Sequence, residues 1–255
     1  MVGMALGDGY LNVAKRTNKN GNTWTRSELR VLHGPSQKDY CYYKAGLLKK
    51  YTGKKFNVTQ VANGPGGKYQ SYQFVSSHPY FKTLKGWLYP GGEKVISRKI
   101  LEMLSPLGIS IWYMDDGHAR TNANRDGVIT SASTEISTMC SLNEVKDIVC
   151  YFNDNHGINF NIRYDKRQSS GHKYYIQCNT EESRKFVNLV SDYIIPSMRY
   201  KIDHVKSLDS HERLAPISSC TQCFRPIYQK RRTGLCSACY SKKLRKVAGK
   251  KLAMI

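Results

Sequence analysis

Residues 111–117 read IWYMDDG and residues 2–9 read VGMALGDG. Each is an apolar run closing on Asp-Gly, and the closing acids, Asp8 and Asp116, stand 108 positions apart. Such runs read as short buried helices, and the glycine after the acid reads as a helix end, where a left-handed residue is tolerated. An acid at a helix C-terminus meets the negative end of the helix dipole and calls for a compensating partner or a cation. If the two helices pack side by side, as the small residues Gly3, Ala5 and Gly7 permit, the two carboxylates meet. Paired carboxylates with open positions suit a hard divalent cation such as Mg2+. Two unrelated Asp-Gly turns are the bland alternative, and the repetition weighs against it.

Reading outward, each motif is followed by the same succession of patterns. After Asp8-Gly9 come two alternating stretches, YLNVAKRT and RSELRVLHG, which read as paired strands. SQKDYCYYKAGLLKKYTG then reads as a helix, with Ser36 as a plausible N-cap and Gly53 at its end. KKFNVTQVAN, the turn GPGG and KYQSYQFVSS form a second hairpin, and HPYFKTLKGWLYP a second helix. After Asp116-Gly117 the order recurs: HARTNA, the turn NRDG, VITSAST, the helix SLNEVKDIVCYFNDNHG, the hairpin INFNIRYDK and HKYYIQCN, and the helix TEESRKFVNLVSDYIIP. Two copies of one αββαββ unit account for most of the chain. Boundaries follow at 1–94 and 109–206, joined by a helix and connector over 95–108, with a linker at 207–216 and a small module at 217–255.

The chain has 255 residues, with 40 Lys and Arg against 19 Asp and Glu and a formal net charge of +21. That excess points to a polyanionic partner, nucleic acid first among them. No apolar run approaches the roughly 20 residues that span a bilayer, so a soluble globular protein without a membrane partner is expected. The N-terminus lacks the basic segment of a secretory signal. Four of the eight cysteines are scattered singly, which suits a reducing intracellular compartment: the cytoplasm or nucleoid of a bacterial or phage-infected cell, or an organelle.

The paired motifs, their spacing and the repeated units resemble the LAGLIDADG homing endonucleases, in particular the single-chain, two-repeat members. The resemblance covers about residues 1–205 and implies an α+β fold of two pseudosymmetric αββαββα repeats, forming a saddle of antiparallel sheets around an interface of the two motif helices. It implies a monomer that hydrolyses double-stranded DNA site-specifically, with two or three Mg2+ ions bound by the last acid of each motif, Asp8 and Asp116. Asp115 is the less suited ligand by motif register. YIIPSMRYKI and WLYPGGEKVI each end a helix with Pro and then Lys, and family lysines of this kind lie beside the metal site. Lys94 and Lys201 are the matching residues, 107 apart. The hairpins would lie in the major groove, where side chains read base edges and phosphate contacts add salt-dependent affinity. Candidates in the first repeat are Asn12, Lys15, Arg16, Arg26, Arg30, Gln70 and Gln73. Those in the second are Arg120, Arg163, Lys166 and Lys173. The first motif starts at Met1 and the second has Ile111 where the first has Gly3, so helix packing there would be asymmetric.

The remaining four cysteines fall in CTQCFRPIYQKRRTGLCSAC: Cys220 and Cys223, twelve residues, then Cys236 and Cys239. Four thiolates so spaced suit one tetrahedral structural Zn2+, and about 40 residues hold too little core to fold otherwise; two disulfides are the alternative. GLCSACY resembles treble-clef or ribbon-type zinc fingers. Arg231 and Arg232 lie in its basic knuckle and would extend the DNA footprint.

Two other readings of the same scaffold stay open: an intron RNA maturase, with or without cleavage, and a non-catalytic DNA-binding regulator. An intein is disfavoured because no splicing segments flank the repeats.

Overall fold

The computed structural model describes residues 1–124, 126–166, 173–209, 215–228 and 233–252. The first half runs α1 (Val2–Leu6), β1 (Gly9–Thr17), β2 (Thr23–His33), α2 (Lys38–Thr52), β3 (Thr59–Asn63), β4 (Tyr69–Ser77) and α3 (Tyr80–Leu88). A short α4 (Arg98–Leu101) leads into the second half: α5 (Pro106–Asp116), β5 (Gly117–Ala123), β6 (Ile129–Cys140), α6 (Leu142–His156), β7 (Asn161–Tyr164), β8 (Tyr174–Gln177), α7 (Thr180–Val190) and α8 (Asp203–Asp209). Last come β9 (Ser218–Ser219), β10 (Pro226–Ile227) and α9 (Ser237–Leu252). The sheets have strand orders β1-β2-β4-β3 and β5-β6-β8-β7, one topology used twice. Among the described residues no helix is long and apolar enough to cross a membrane.

Met1–Arg120 and Ser133–Val205 form one compact unit; Thr121–Ala132 and Lys206–Ile255 form another. In the first unit, strand alternation buries Leu11, Leu29, Val31 and Phe74 under one sheet and Ile136 and Ile176 under the other. Helices cover these faces with Tyr40, Leu48 and Phe81 on the first, and with Phe152 and Phe186 on the second. The helix ends follow local chemistry. Gly53 and Gly157 close α2 and α6 at φ 69° and 62°, and Ser141 and Glu144 form a capping box at the start of α6.

Several local expectations change. Ser36 does not cap α2; it sits in a 3-10 turn over Pro35–Gln37, and the helix begins at Lys38 without a side-chain cap. The strand read from residue 54 starts only at Thr59. The second motif helix begins at Pro106, inside the expected connector, because Ser105 accepts the Gly108 N–H at 3.2 Å and Pro106 occupies the first turn. The glycines after the acids are not left-handed: Gly117 is extended at φ −76°, ψ 148°. Space is what requires them. A β-carbon on Gly117 would lie 2.1 Å from Tyr113 Cδ2, and one on Gly9 would lie 2.3 Å from the Met4 carbonyl oxygen.

Candidate active site

Glycine sets how closely the motif helices approach. A β-carbon on Gly3 would lie 2.1 Å from the Gly108 carbonyl oxygen, and one on Gly7 would lie 2.2 Å from Asp115 Oδ2. Val2–Leu6 and Ile109–Met114 are buried throughout, as an interface between two halves requires. Two tyrosine hydroxyls tie α5 to both repeats: Tyr40 of the first donates to the Ile111 carbonyl at 3.0 Å, and Tyr113 of α5 itself donates to the Lys201 carbonyl of the second at 2.6 Å.

Asp8 and Asp116 thus reach one neighbourhood. Burial, and then the Asp115 charge, raises the Asp8 pKa against the pull of Lys44, His33 and Lys201. Burial, followed by the charges of Asp115 and Asp8, pushes Asp116 up to about 7. Carboxyl groups that burial and neighbouring acids keep from ionising are relieved by a divalent cation, and carboxylate oxygens suit a hard one. The residues present therefore fit Mg2+. Asp8, His33 and Asp115 each bring one possible ligand atom within 4.8 Å of the others, and Asp116 lies outside that set.

Asp115 is otherwise committed. Its side chain is sealed from solvent, Lys44 Nζ bonds both its oxygens at 2.6 and 2.7 Å, and Oδ2 also accepts the Asp8 N–H at 3.0 Å. Lys44 donates further to His33 Nε2 at 3.1 Å and lies 4.4 Å from the Tyr40 ring centre. Burial, and then the Lys44 charge, pushes His33 down to about 4, so its ring is neutral near pH 7.

The two lysines take matching places. Lys94 Nζ donates to the Leu6 carbonyl, and Lys201 Nζ to the Met114 carbonyl and, at 3.3 Å, to that of Asp115. Leu6 and Met114 each precede the closing acid by two residues. Each ammonium therefore satisfies carbonyls that its helix end leaves open and faces the negative end of the dipole. Burial lowers both lysine pKa values, and the charges of Asp8, Asp115 and Asp116 oppose that shift.

Pairing register sorts the groove candidates by face. Tyr10 opposes Arg30, Asn12 opposes Glu28, and Arg16 opposes Trp24, so these and Arg26 share the pleat face turned away from Leu11 and Leu29. Gln73 opposes Leu32 and belongs with them. Lys15 and Gln70 fall on the opposite, core-side face, Lys15 across from Thr25 and Gln70 bonded to Gln60. In the second sheet a polar chain crosses all four strands: Arg120 to Glu135 at 3.1 Å, Glu135 to Gln177 at 2.8 Å, and Gln177 to Arg163 at 2.7 Å. Lys173 Nζ lies 3.4 Å from the Tyr164 hydroxyl, and Lys166 is exposed beyond β7. Arg231 and Arg232 lie outside the described residues.

In the other unit, the Sγ atoms of Cys220, Cys223, Cys236 and Cys239 lie within 4.8 Å of one another. Cys223 and Cys236 sulfurs are 3.7 Å apart, too far for a disulfide and close to the edge of about 3.8 Å that Zn–S bonds near 2.3 Å impose. The Cys236 N–H reaches Cys220 Sγ at 3.2 Å and is the main reason that thiol falls to about 6. A hydrogen bond to Cys223 pushes Cys239 up to about 12. Among the described residues, Cys220, Ile227 and Leu235 form the buried cluster there. The donor set and the small core both fit Zn2+.

Sequence reasoning missed Lys44 and His33. The signal for Lys44 was present, since Tyr40, Cys41, Lys44, Ala45 and Leu48 form the buried stripe of α2 and a lysine in such a stripe demands a buried acid.

Residues 1–186 match the model of the LAGLIDADG DNA endonuclease family. Similar curated proteins include Protein RecA of Mycolicibacterium flavescens, 30% identical over 207 residues, which covers 79% of this chain and 45% of that protein. Cytochrome b mRNA maturase bI2 of Saccharomyces cerevisiae is 27% identical over 214 residues, covering 79% and 46%. The chain thus spans about half the length of the curated relatives it matches. Among solved structures, the homing endonuclease I-WcaI bound to its DNA recognition sequence aligns at TM-score 0.62 and 22% identity, covering 79% of this chain and 83% of that one. The meganuclease I-SmaMI bound to uncleavable DNA aligns at 0.52 and 10% identity, covering 83% and 90%. These likenesses agree with the two-repeat α+β fold.

Proposed function

This chain belongs to the LAGLIDADG DNA endonuclease family, and from that premise we propose that it is a site-specific, divalent-metal-dependent homing endonuclease that cuts both strands of a DNA duplex. The observation that carries the reading is the duplicated site: two acids at the ends of packed helices, each with a lysine on the carbonyl two residues earlier. The repeats at 1–94 and 109–206 would each supply one acid and one lysine, and the module at 217–255 would hold one Zn2+ and add phosphate contacts.

Asp8 and Asp116 would hold Mg2+, which supplies an activated water and charge neutralisation at the leaving 3′ oxygen. The chain's own part is positional. Lys94 and Lys201 keep the helix ends closed and carry positive charge to the place where phosphate charge develops. The face bearing Asn12, Arg16, Arg26 and Arg30 would contact base edges and phosphates, with Arg120 and Arg163 doing so in the second sheet. The reading is tested by selecting cut sites from a randomised duplex library with Mg2+. Discrete double-strand breaks by wild type, lost in Asp8→Asn and Asp116→Asn, support it. Binding without cutting would move the assignment to a regulator.

The likeness to a cytochrome b mRNA maturase favours a second reading, assistance to intron splicing on the same scaffold. Binding of the transcript that surrounds the gene, persisting in the Asp8→Asn variant, would support it.

A further inference from the structure

The two acids do not stand in equal surroundings. Around Asp8 a ring of side chains closes: the Asp8 N–H donates to Asp115 Oδ2 at 3.0 Å, Lys44 bonds both Asp115 oxygens, and Lys44 donates to His33 Nε2 at 3.1 Å. An ammonium offers no acceptor, so Nε2 accepts and the ring proton sits on Nδ1. That N–H faces Gln37 Oε1 at 3.1 Å and Asp8 Oδ2 at 3.6 Å, which brings the ring back to the residue where it began. Asp8 is thereby gripped at its backbone and faced at its carboxylate by one continuous network. The Lys44–Asp115 pair at its centre is fully buried, with both side chains at 0% exposure.

The duplicate positions hold none of this. Gly7 precedes Asp8 where Asp115 precedes Asp116. Ile148 stands nine residues before Gly157, as Lys44 stands nine before Gly53, and it is a buried core residue. Cys140 ends β6 opposite Tyr174, as His33 ends β2 opposite Tyr72. Asp115, Lys44 and His33 thus each have a small or apolar counterpart. Asp115 itself comes from the second repeat, so the ring also ties that repeat to the acid of the first.

Resting on the endonuclease reading above, we propose that the chain has one braced and one unbraced centre. Lys44, Asp115 and His33 are positioning residues for Asp8, and cutting of one DNA strand depends on them more than cutting of the other. A displacement near 1 Å at a reacting group costs on the order of 100-fold in rate, so loosening one acid is enough to separate the strands kinetically.

The test uses the full chain, Mg2+ and a duplex carrying its selected site, with the two strands labelled separately at their 5′ ends. Lys44→Met alone strands a buried carboxylate, so the informative variants are Lys44→Met with Asp115→Asn, which removes both charges together, and His33→Phe, which keeps a ring and removes its donor. Their melting is recorded beside wild type. The expected result is a rate loss of roughly tenfold or more on one strand, the same strand for both variants, with less than about a twofold change on the other for His33→Phe and a clearly smaller loss there for the double variant, which also removes a charge beside Asp116. Nicked duplex then accumulates. Equal losses on both strands, or unchanged rates on both, would overturn the brace. A wild type that cuts neither strand would overturn the endonuclease reading, and the ring's role with it.

Discussion

Asp116 carries the clearest single-residue consequence. With its carboxyl raised to about 7 from an ordinary 3.8, the metal-free fold between those pH values holds a proton that the unfolded chain has already lost. Stability from this group is full below the unfolded value and falls as pH rises through about 7, by up to ~1.4 kcal/mol per pH unit. Asp116→Asn removes that dependence. In a chelator, the melting temperature of the variant relative to wild type should therefore climb between pH 4 and pH 7, and Mg2+ at pH 7 should raise wild type more than the variant. Parallel melting curves across that range would contradict the account of Asp116. The identity of the two acids was legible because their spacing repeats. The ring around Asp8 was not, because its members come from β2, α2 and α5 and only the folded chain joins them.

At the scale of elements, the zinc module has least to hold it together. Among the described residues its buried core is Ile227 and Leu235 packed on Cys220, too little to offset the ordering of the chain there, so the metal should be the main source of its stability. Elemental analysis should give one zinc per chain, and Cys220→Ser should reduce it to none. A strong chelator should then remove the helical signal of α9 while leaving the rest of the circular dichroism spectrum. Retention of that signal in a zinc-free chain would contradict the assignment. The element order was readable from alternation and helical spacing, and Gly53 and Gly157 marked their helix ends correctly. What failed was local competition. Pro35 draws Ser36 into a 3-10 turn, Pro106 starts α5 early, and crowding by Tyr113 requires Gly117 while its backbone stays extended. Which strand residues share a face could be settled only by register, and this separates Lys15 from Arg16 and Gln70 from Gln73.

For the whole molecule, the net charge of +21 and the arginines on both sheets predict binding dominated by counterion release. A plot of log K against log salt should fall with a slope steeper than about −5, the mark of six or more phosphates neutralised. A slope near zero would contradict a duplex partner. The fold was legible at this scale because duplication wrote it twice; the inequality of the two centres was hidden because duplication also suggests that they match. The central claim is that Asp8 and Asp116 together make a metal-dependent centre for double-strand cleavage. Its most direct measurement is conversion of a supercoiled plasmid bearing the selected site to linear DNA, with Mg2+ or with chelator, by wild type, Asp8→Asn and Asp116→Asn. Linear product from wild type with Mg2+ alone, and from neither variant, is the predicted result. Linear product in chelator, or undiminished cutting by either variant, would contradict it.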